Sequence, residues 1–454
     1  MTAIRSRRTR GTVVALSAAI VSLVTVGVFG VIGARTLADS RAGKLAEGQK
    51  VTTPVQRLPF TPTALIGVAD DDGRLTSIAV GVLKPDGVGG SLIVLASSAD
   101  ASSGNNEVLV PLDAELEVNG PQAFREAAER LTGLSFDVIE IVDQRRFVRI
   151  VNPLGDLPTL MPFPLFDSST GERWDEGELV LSSASAARAL TARDDSIADW
   201  YLEASRIALW EAVADRVGAG VGSVAPIASD QDLPLITTLD EFFRRLFADP
   251  LEIRALDFVV IDDERLDEQL SDELANAFGE SGVQAVVAHN RAETLMTFGS
   301  IAPGRLGAPI DGPTFRVVSG FTDADLEGLG MNRSDVLKST VDRLLFNRTN
   351  VVAVADLPGV GAPEVTQFRV ADPLIVDDVR ALFGDLFGLS EVSAADVVIE
   401  GVDIEVELGL SLIDTLRGET GDVVAGSEDD ASTEVDTEPD DADTDDGGDG
   451  DPDG

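Results

Sequence analysis

The sequence predicts a layered α/β protein: an α/β/α extracytoplasmic domain, a smaller C-terminal α/β domain, and a single N-terminal transmembrane helix ahead of both. Three observations lead there. Short apolar runs alternate with helical patterns across residues 61–417, as expected when sheet and helix layers share a core. A proline- and glycine-rich stretch, PGRLGAPIDGP at 303–313, divides that region unequally. An uncharged run of 24 residues at 11–34 follows Arg5, Arg7, Arg8 and Arg10.

In chain order, 1–11 is a basic cytoplasmic segment and 12–34 the membrane helix. At ~1.5 Å per residue the uncharged run spans about 36 Å, enough to cross a ~30 Å hydrocarbon layer with some tilt. The arginines stay inside, which puts the bulk of the chain outside the cell membrane. A cleaved signal peptide is the competing reading, but the run exceeds the usual ~7 to 15 residue apolar region and no A-x-A site follows. Residues 35–60, polar and carrying Pro54 and Pro59, read as a stalk.

The first folded domain, 61–302, opens with strands TALIGVA (63–69), TSIAVGVL (76–83) and SLIVLAS (91–97) joined by DDDGR and KPDGVGG turns. A helix at 121–131 has Phe124, Ala127, Ala128 and Leu131 on one face, and a strand (136–143) and a second helix (144–152) follow. Helices are expected at 182–190, 197–217, 239–247 and 266–278, and strands at 256–261 and 284–289. In the 197–217 helix, Trp200, Ile207 and Trp210 fall near one stripe and read as core. Beyond the 303–313 linker, the second domain at 314–417 gives strands at 315–320, 351–357, 365–372 and 402–409, with helices at 333–345 and 376–387. From 418 the chain becomes an acidic tail: residues 427–454 hold fourteen Asp or Glu and no Lys or Arg, too polar to fold alone. The tail lacks the spacing of an EF-hand loop.

Composition closes off many chemistries. The chain carries 79 Asp and Glu against 35 Lys and Arg, a net of −44, so nucleic acid would be repelled. With no cysteine and one histidine, His289, thiol catalysis, Cys-ligated metals and multi-His sites are excluded. His289 ends an apolar run and reads as a hydrogen-bonded structural residue. GAGVGS (218–223) follows a helix and lacks a lysine, so it is a weak phosphate loop; LPGVG (357–361) reads as a turn.

The order of pieces resembles the LytR-CpsA-Psr family of cell-envelope proteins. The likeness is carried by LTGLSFDVIEIVDQRRFVRIVNPLGDLPTLMP (131–162), which resembles that family's helix, strand, helix and "lvdalGGv" stretch, and by LIGVADDDGRLTSIAVGVLKPDGVGGSLIVLASSAD (65–100), which resembles its opening strands. VVIEGVDIEVELGLSLID, near the end of the second domain, is similar to a LytR C-terminal domain. The resemblance implies attachment of anionic glycopolymers to peptidoglycan from a polyprenyl pyrophosphate carrier. The lipid would lie in an apolar pocket, with arginines and carboxylate-held Mg²⁺ at its mouth. Guanidinium forks suit phosphate oxygens and carboxylates suit a hard cation.

Residue by residue, the match thins. Asp70, Asp71 and Asp72 form the acidic turn, and Arg74 stands where the family has the arginine of its Arg-Ser-Asp turn; the aspartate of that turn falls on Thr76. The family's Pro-Arg-Asp aligns with Ser98, Ala99 and Asp100. Its later arginine pair aligns with Thr191 and Arg193, and its Arg-x-x-Arg-Gln helix has Leu202, Ser205 and Arg206 here. The resemblance thus leaves Arg74, Arg193 and Arg206 as pyrophosphate-binding candidates, Asp72 and Asp100 as metal candidates, and Mg²⁺ as a cofactor only if the site is active. The leading expectation is a membrane-anchored, degenerate binding or scaffold member of glycopolymer assembly, with a polyprenyl-linked glycopolymer and peptidoglycan as partners. A surviving phosphotransferase and a purely structural envelope protein are the competing readings. Convergence of these arginines at an apolar pocket would favour the enzyme.

Overall fold

The computed structural model describes residues 53–102, 109–228, 233–261 and 286–418. The basic segment, the expected membrane helix at 12–34, most of the stalk, the helix expected at 266–278 and the acidic tail beyond 418 lie outside these. Among the described residues no helix is long and apolar enough to cross a membrane.

The first domain is built on a five-stranded sheet: β1 Thr63–Ala69, β2 Leu75–Leu83, β3 Gly90–Leu95, β4 Val138–Asp143 and β5 Leu251–Ala255, in the order β5-β3-β2-β1-β4. β1, β2 and β3 form an antiparallel meander, while β4 joins β1 and β5 joins β3 in parallel. The central three strands are buried throughout, which is why they read as continuous apolar runs. Their side chains alternate between two cores. Leu65, Ile78, Val80, Ile93 and Leu95 face one side with Phe124 and Ala127 of α1 (Gly120–Thr132). Ile66, Val68, Ala79, Leu92 and Val94 face the other. That second side is covered by α2 (Gln144–Val151), α3 (Ser183–Leu190), α4 (Glu203–Val217) and α5 (Leu239–Leu246). The expected α/β/α layering follows from this alternation.

Aromatic rings fill the second layer. Phe147 meets Trp210 edge to face at 5.3 Å, and a Cβ on Gly81 would stand 2.6 Å from the Phe242 ring. A residue with no side chain on β2 is what lets α5 approach the sheet.

Several expectations are corrected. The helix expected at 197–217 begins as a 3-10 turn, Asp199–Leu202, and becomes α-helical only at α4. The preceding Asp194 accepts the Ser196 backbone N–H at 2.9 Å, a local bond that competes with helix formation. Trp210 is fully buried as expected, but Trp200 sits on the 3-10 turn, off the core stripe. The strand expected at 256–261 is shorter, Phe258–Val260, paired antiparallel with Val287–His289, and β5 before it was not expected, since Glu252 and Arg254 hide its pattern at the sheet edge. The helix expected at 376–387 stops at Phe383, and short antiparallel pairs at Leu157–Met161 with Gly177–Leu181 and Leu165–Phe166 with Arg173–Trp174 were not expected.

An unexpected helix, α6 (Arg291–Ile301), joins the two domains. Its Ala292 and Leu295 belong to the second core, and its Phe298 with the following Ala302 to the first. Apolar residues facing two directions leave no single stripe to read. The second domain has strands β6 Thr314–Ser319, β7 Asn350–Asp356, β8 Thr366–Val370, β9 Ser390–Ala394 and β10 Ile404–Glu407 in the order β7-β6-β10-β8-β9. Helices α7 (Arg333–Phe346) and α8 (Val376–Phe383) share one core with Phe315, Phe368 and Val406. Alternate residues Arg316, Arg369, Glu405 and Glu407 pair across the other face. The end of the stalk is also structured: Val55–Gln56 pairs in parallel with Val398–Ile399, and Arg57 bonds Glu400 at 2.8 Å.

Candidate functional site

β1, β3, β4 and β5 point the same way, so their C-terminal ends share one edge of the sheet, where open α/β sheets place their ligands. The turn after β1 and the segment after β3 bring Asp70–Arg74 and Ala96–Asp100 to that edge. In the first, Asp70 accepts the backbone N–H groups of Asp72 at 3.0 Å and Arg74 at 2.8 Å, while Gly73 takes φ +83°. The acidic turn is an Asx-closed turn, and the side chains of Asp72 and Arg74 project from it into solvent.

Arg193 lies half-buried beside this turn, its Nη1 3.7 Å from Asp70 and its Nη2 3.9 Å from Asp195. Both distances exceed hydrogen-bond reach. Its position is set by the backbone: the Arg193 carbonyl accepts the Ser168 N–H at 2.8 Å, and Asp167 closes that hairpin through Ser169 and Thr170.

Arg206 points inward. Only 1% of its side chain is exposed. Nη1 and Nη2 donate to the two oxygens of Asp199, each at 2.7 Å, and Nη1 also donates to Glu203 at 2.8 Å. A buried guanidinium needs such partners, since an unpaired one would lose its hydration uncompensated. Ser97, just past β3, ties the group to the sheet: its hydroxyl donates to Asp199 at 2.6 Å and its N–H to Glu203. The surroundings split the two carboxylates. Despite desolvation, Arg206 and Ser97 hold Asp199 below the usual carboxylate range. Burial pushes Glu203 up to about 7, only partly offset by Arg206. Burial also raises Asp113, whose N–H bonds the Ser97 carbonyl, to about 7, with the Asp199 charge adding to the push. Two carboxylates therefore occupy both terminal nitrogens of Arg206.

The other positions singled out by the resemblance are mostly buried and small. The Thr76 hydroxyl donates to the Val68 carbonyl at 3.1 Å. Thr191 accepts from Gln144 at 2.8 Å and donates to the Ala187 carbonyl. Ser98, Ala99, Leu202 and Ser205 are buried, with the Ser98 hydroxyl lacking a partner. Asp100 turns its oxygens to its own loop, accepting from Ser102 and from the Val110 N–H at 3.1 Å. Among the described residues no group of three or more His, Asp or Glu is placed to hold a metal. An exposed Asp72 and a loop-bound Asp100 do not fit a Mg²⁺ site.

A cleft of about 220 Å³ opens at the opposite edge of the sheet, lined by Thr61, Leu83, Lys84, Ser91 and Pro303 among others. Arg74, Arg193 and Arg206 do not line it. His289 accordingly reads as structural: its Nδ1 bonds the Asp257 carbonyl at 3.2 Å, and burial lowers its proton affinity. The 218–223 loop is a turn in which a Cβ on Gly220 would strike the Ala248 carbonyl at 2.4 Å.

Sequence reasoning missed Ser97, Asp199 and Glu203. The i, i+3 spacing of Glu203 and Arg206 was available as a signal, but neither its burial nor the link to Ser97 is local in sequence.

No family model matches the chain and no curated protein does. Solved structures resemble it. Against Bacillus subtilis TagV the TM-score is 0.35 at 14% identity, covering 46% of this chain and 94% of that one. Against a LytR-Csp2A-Psr enzyme from Actinomyces oris it is 0.32 at 18% identity, covering 51% and 97%. Against B. subtilis TagU it is 0.29 at 13% identity, covering 49% and 99%. All three scores lie below 0.5.

Proposed function

We propose that this chain is a membrane-anchored cell-envelope protein, with a LytR-CpsA-Psr-like domain followed by a LytR C-terminal-like domain. It binds or scaffolds polyprenyl-linked glycopolymer precursors near peptidoglycan and does not transfer them. The anchoring rests on the arginine-flanked apolar run at 11–34. The loss of transfer rests on one observation: Arg206 is buried, with its terminal nitrogens donating to Asp199 and Glu203.

The energetics favour binding over catalysis. Each charge-assisted contact to a phosphate is worth roughly 1.5–3 kcal/mol, and one missing transition-state donor costs ~10²-fold or more in rate. Of the three candidate arginines, Arg74 is exposed and Arg193 is within 4 Å of acids without a hydrogen bond to them. Those two can attract an anionic headgroup. They are too few to stabilise a pyrophosphate while its P–O–P bond breaks and polyprenyl phosphate leaves.

The test is lipid capture by the full-length chain in detergent. A polyprenyl pyrophosphate added in excess and washed out should remain bound, and Arg74→Ala with Arg193→Ala should release it. Equal retention by wild type and the double variant would remove the headgroup reading.

A further inference from the structure

At the same edge the chain's one tyrosine stands on a tryptophan. Tyr201 stacks on Trp200 with ring centroids 3.7 Å apart and planes 23° apart, yet 55% of Tyr201 remains exposed. One ring face is covered by Trp200, and more than half of the residue faces solvent. Beneath, Trp200 meets Phe258 edge to face at 6.4 Å and packs with Ala96, Ala99 and Val287. The turn that carries both rings is fastened at each end, by Asp199 to Arg206 and Ser97 and by the buried Leu202. An exposed aromatic surface is thus held rigid, so little ordering entropy is lost when something lands on it.

We propose that Tyr201 and Trp200 form a stacking platform for a sugar ring of a neutral glycan chain; this deepens, and rests on, the envelope-binding function proposed above. Aromatic faces are electron-rich, and a pyranose presents a face of polarised C–H groups that fits them, leaving its hydroxyls at the rim. Polar residues Arg193, Asp195 and Ser196 lie on the loop that leads into this turn. The local charge selects against other flat ligands. Asp194 and Asp195 lie on the loop that leads into this turn, in a chain of net charge −44, which disfavours nucleic acid bases with their phosphates. Arg206 then has a second purpose, to position the platform through Asp199.

The experiment titrates the full-length chain in detergent with chitotetraose, a neutral acetamido-sugar oligomer, following tryptophan fluorescence and saturation transfer to the sugar protons. Wild type should bind, Tyr201→Phe should bind comparably, and Tyr201→Ala should bind about tenfold more weakly. Tyr201 is exposed, and circular dichroism checks that each variant is folded. No response from wild type, or equal binding by Tyr201→Ala, overturns the platform. Retained lipid without sugar binding would sink this inference and leave the proposed function standing. Sugar binding with phosphate release from a pyrophosphate donor would do the reverse.

Discussion

Both terminal nitrogens of Arg206 meet Asp199 at 2.7 Å, where the arginine is 1% exposed and the aspartate 22%. The pair joins α4 to the 3-10 turn before it, and through Ser97 to the end of β3. A cation on the helix expected to face phosphate therefore serves as an internal tie.

Removing one partner of such a group should cost more than replacing the group. Arg206→Met leaves Asp199 and Glu203 without their counter-charge and should destabilise the first domain by about 3–5 kcal/mol. Adding Glu203→Gln and Asp199→Asn should recover a substantial part of that loss. Urea unfolding midpoints of the single and triple variants measure the difference.

The same cluster predicts a pH dependence. Glu203 titrates near 7 in the folded protein, well above an ordinary glutamate, so the native state binds its proton more tightly than the unfolded chain. Its contribution therefore favours folding as pH falls from above 7 toward the ordinary carboxylate value, and is lost as pH rises through about 7. Each tenfold change in proton affinity is worth about 1.4 kcal/mol, giving about 3 kcal/mol at most for this group. Asp199, held low, works the other way: its stabilisation is full above the ordinary carboxylate range and is lost only as pH falls through its depressed value. Comparing Tm of wild type and Glu203→Gln between pH 5.5 and 8.5 isolates the effect. Wild type should lose more stability than the variant as pH rises.

The shared helix α6 predicts cooperativity between the domains. Phe298 is fully buried in the first core, and Leu295, three residues earlier, belongs to the second. Phe298→Ala should cost about 3–5 kcal/mol and lower the unfolding of both domains together in calorimetry. Two separate transitions, with only the first shifted, would contradict the coupling.

Much of the frame was legible in the sequence. The buried meander strands announce themselves because both faces are apolar, and α1, α2 and α7 have clean boundaries; Asp143 and Asn332 cap the last two. What escaped has a physical reason in each case. β5 is an edge strand with Glu252 and Arg254, α6 divides its apolar residues between two cores, and Trp200 leaves its stripe because a 3-10 turn replaces the first helical turn. The candidate arginines were found by resemblance, but nothing local tells that Arg206 turns inward. That depends on Ser97, more than a hundred residues earlier.

The measurement that bears most directly on the central claim is a transfer assay with the purified full-length chain, a polyprenyl pyrophosphate-linked glycopolymer, Mg²⁺ and peptidoglycan. It reads released lipid phosphate and retained lipid in the same sample. Retained lipid with no phosphate release above a protein-free control is the result expected when Arg206 is committed to Asp199 and Glu203. Phosphate release that disappears in Arg193→Ala would contradict it.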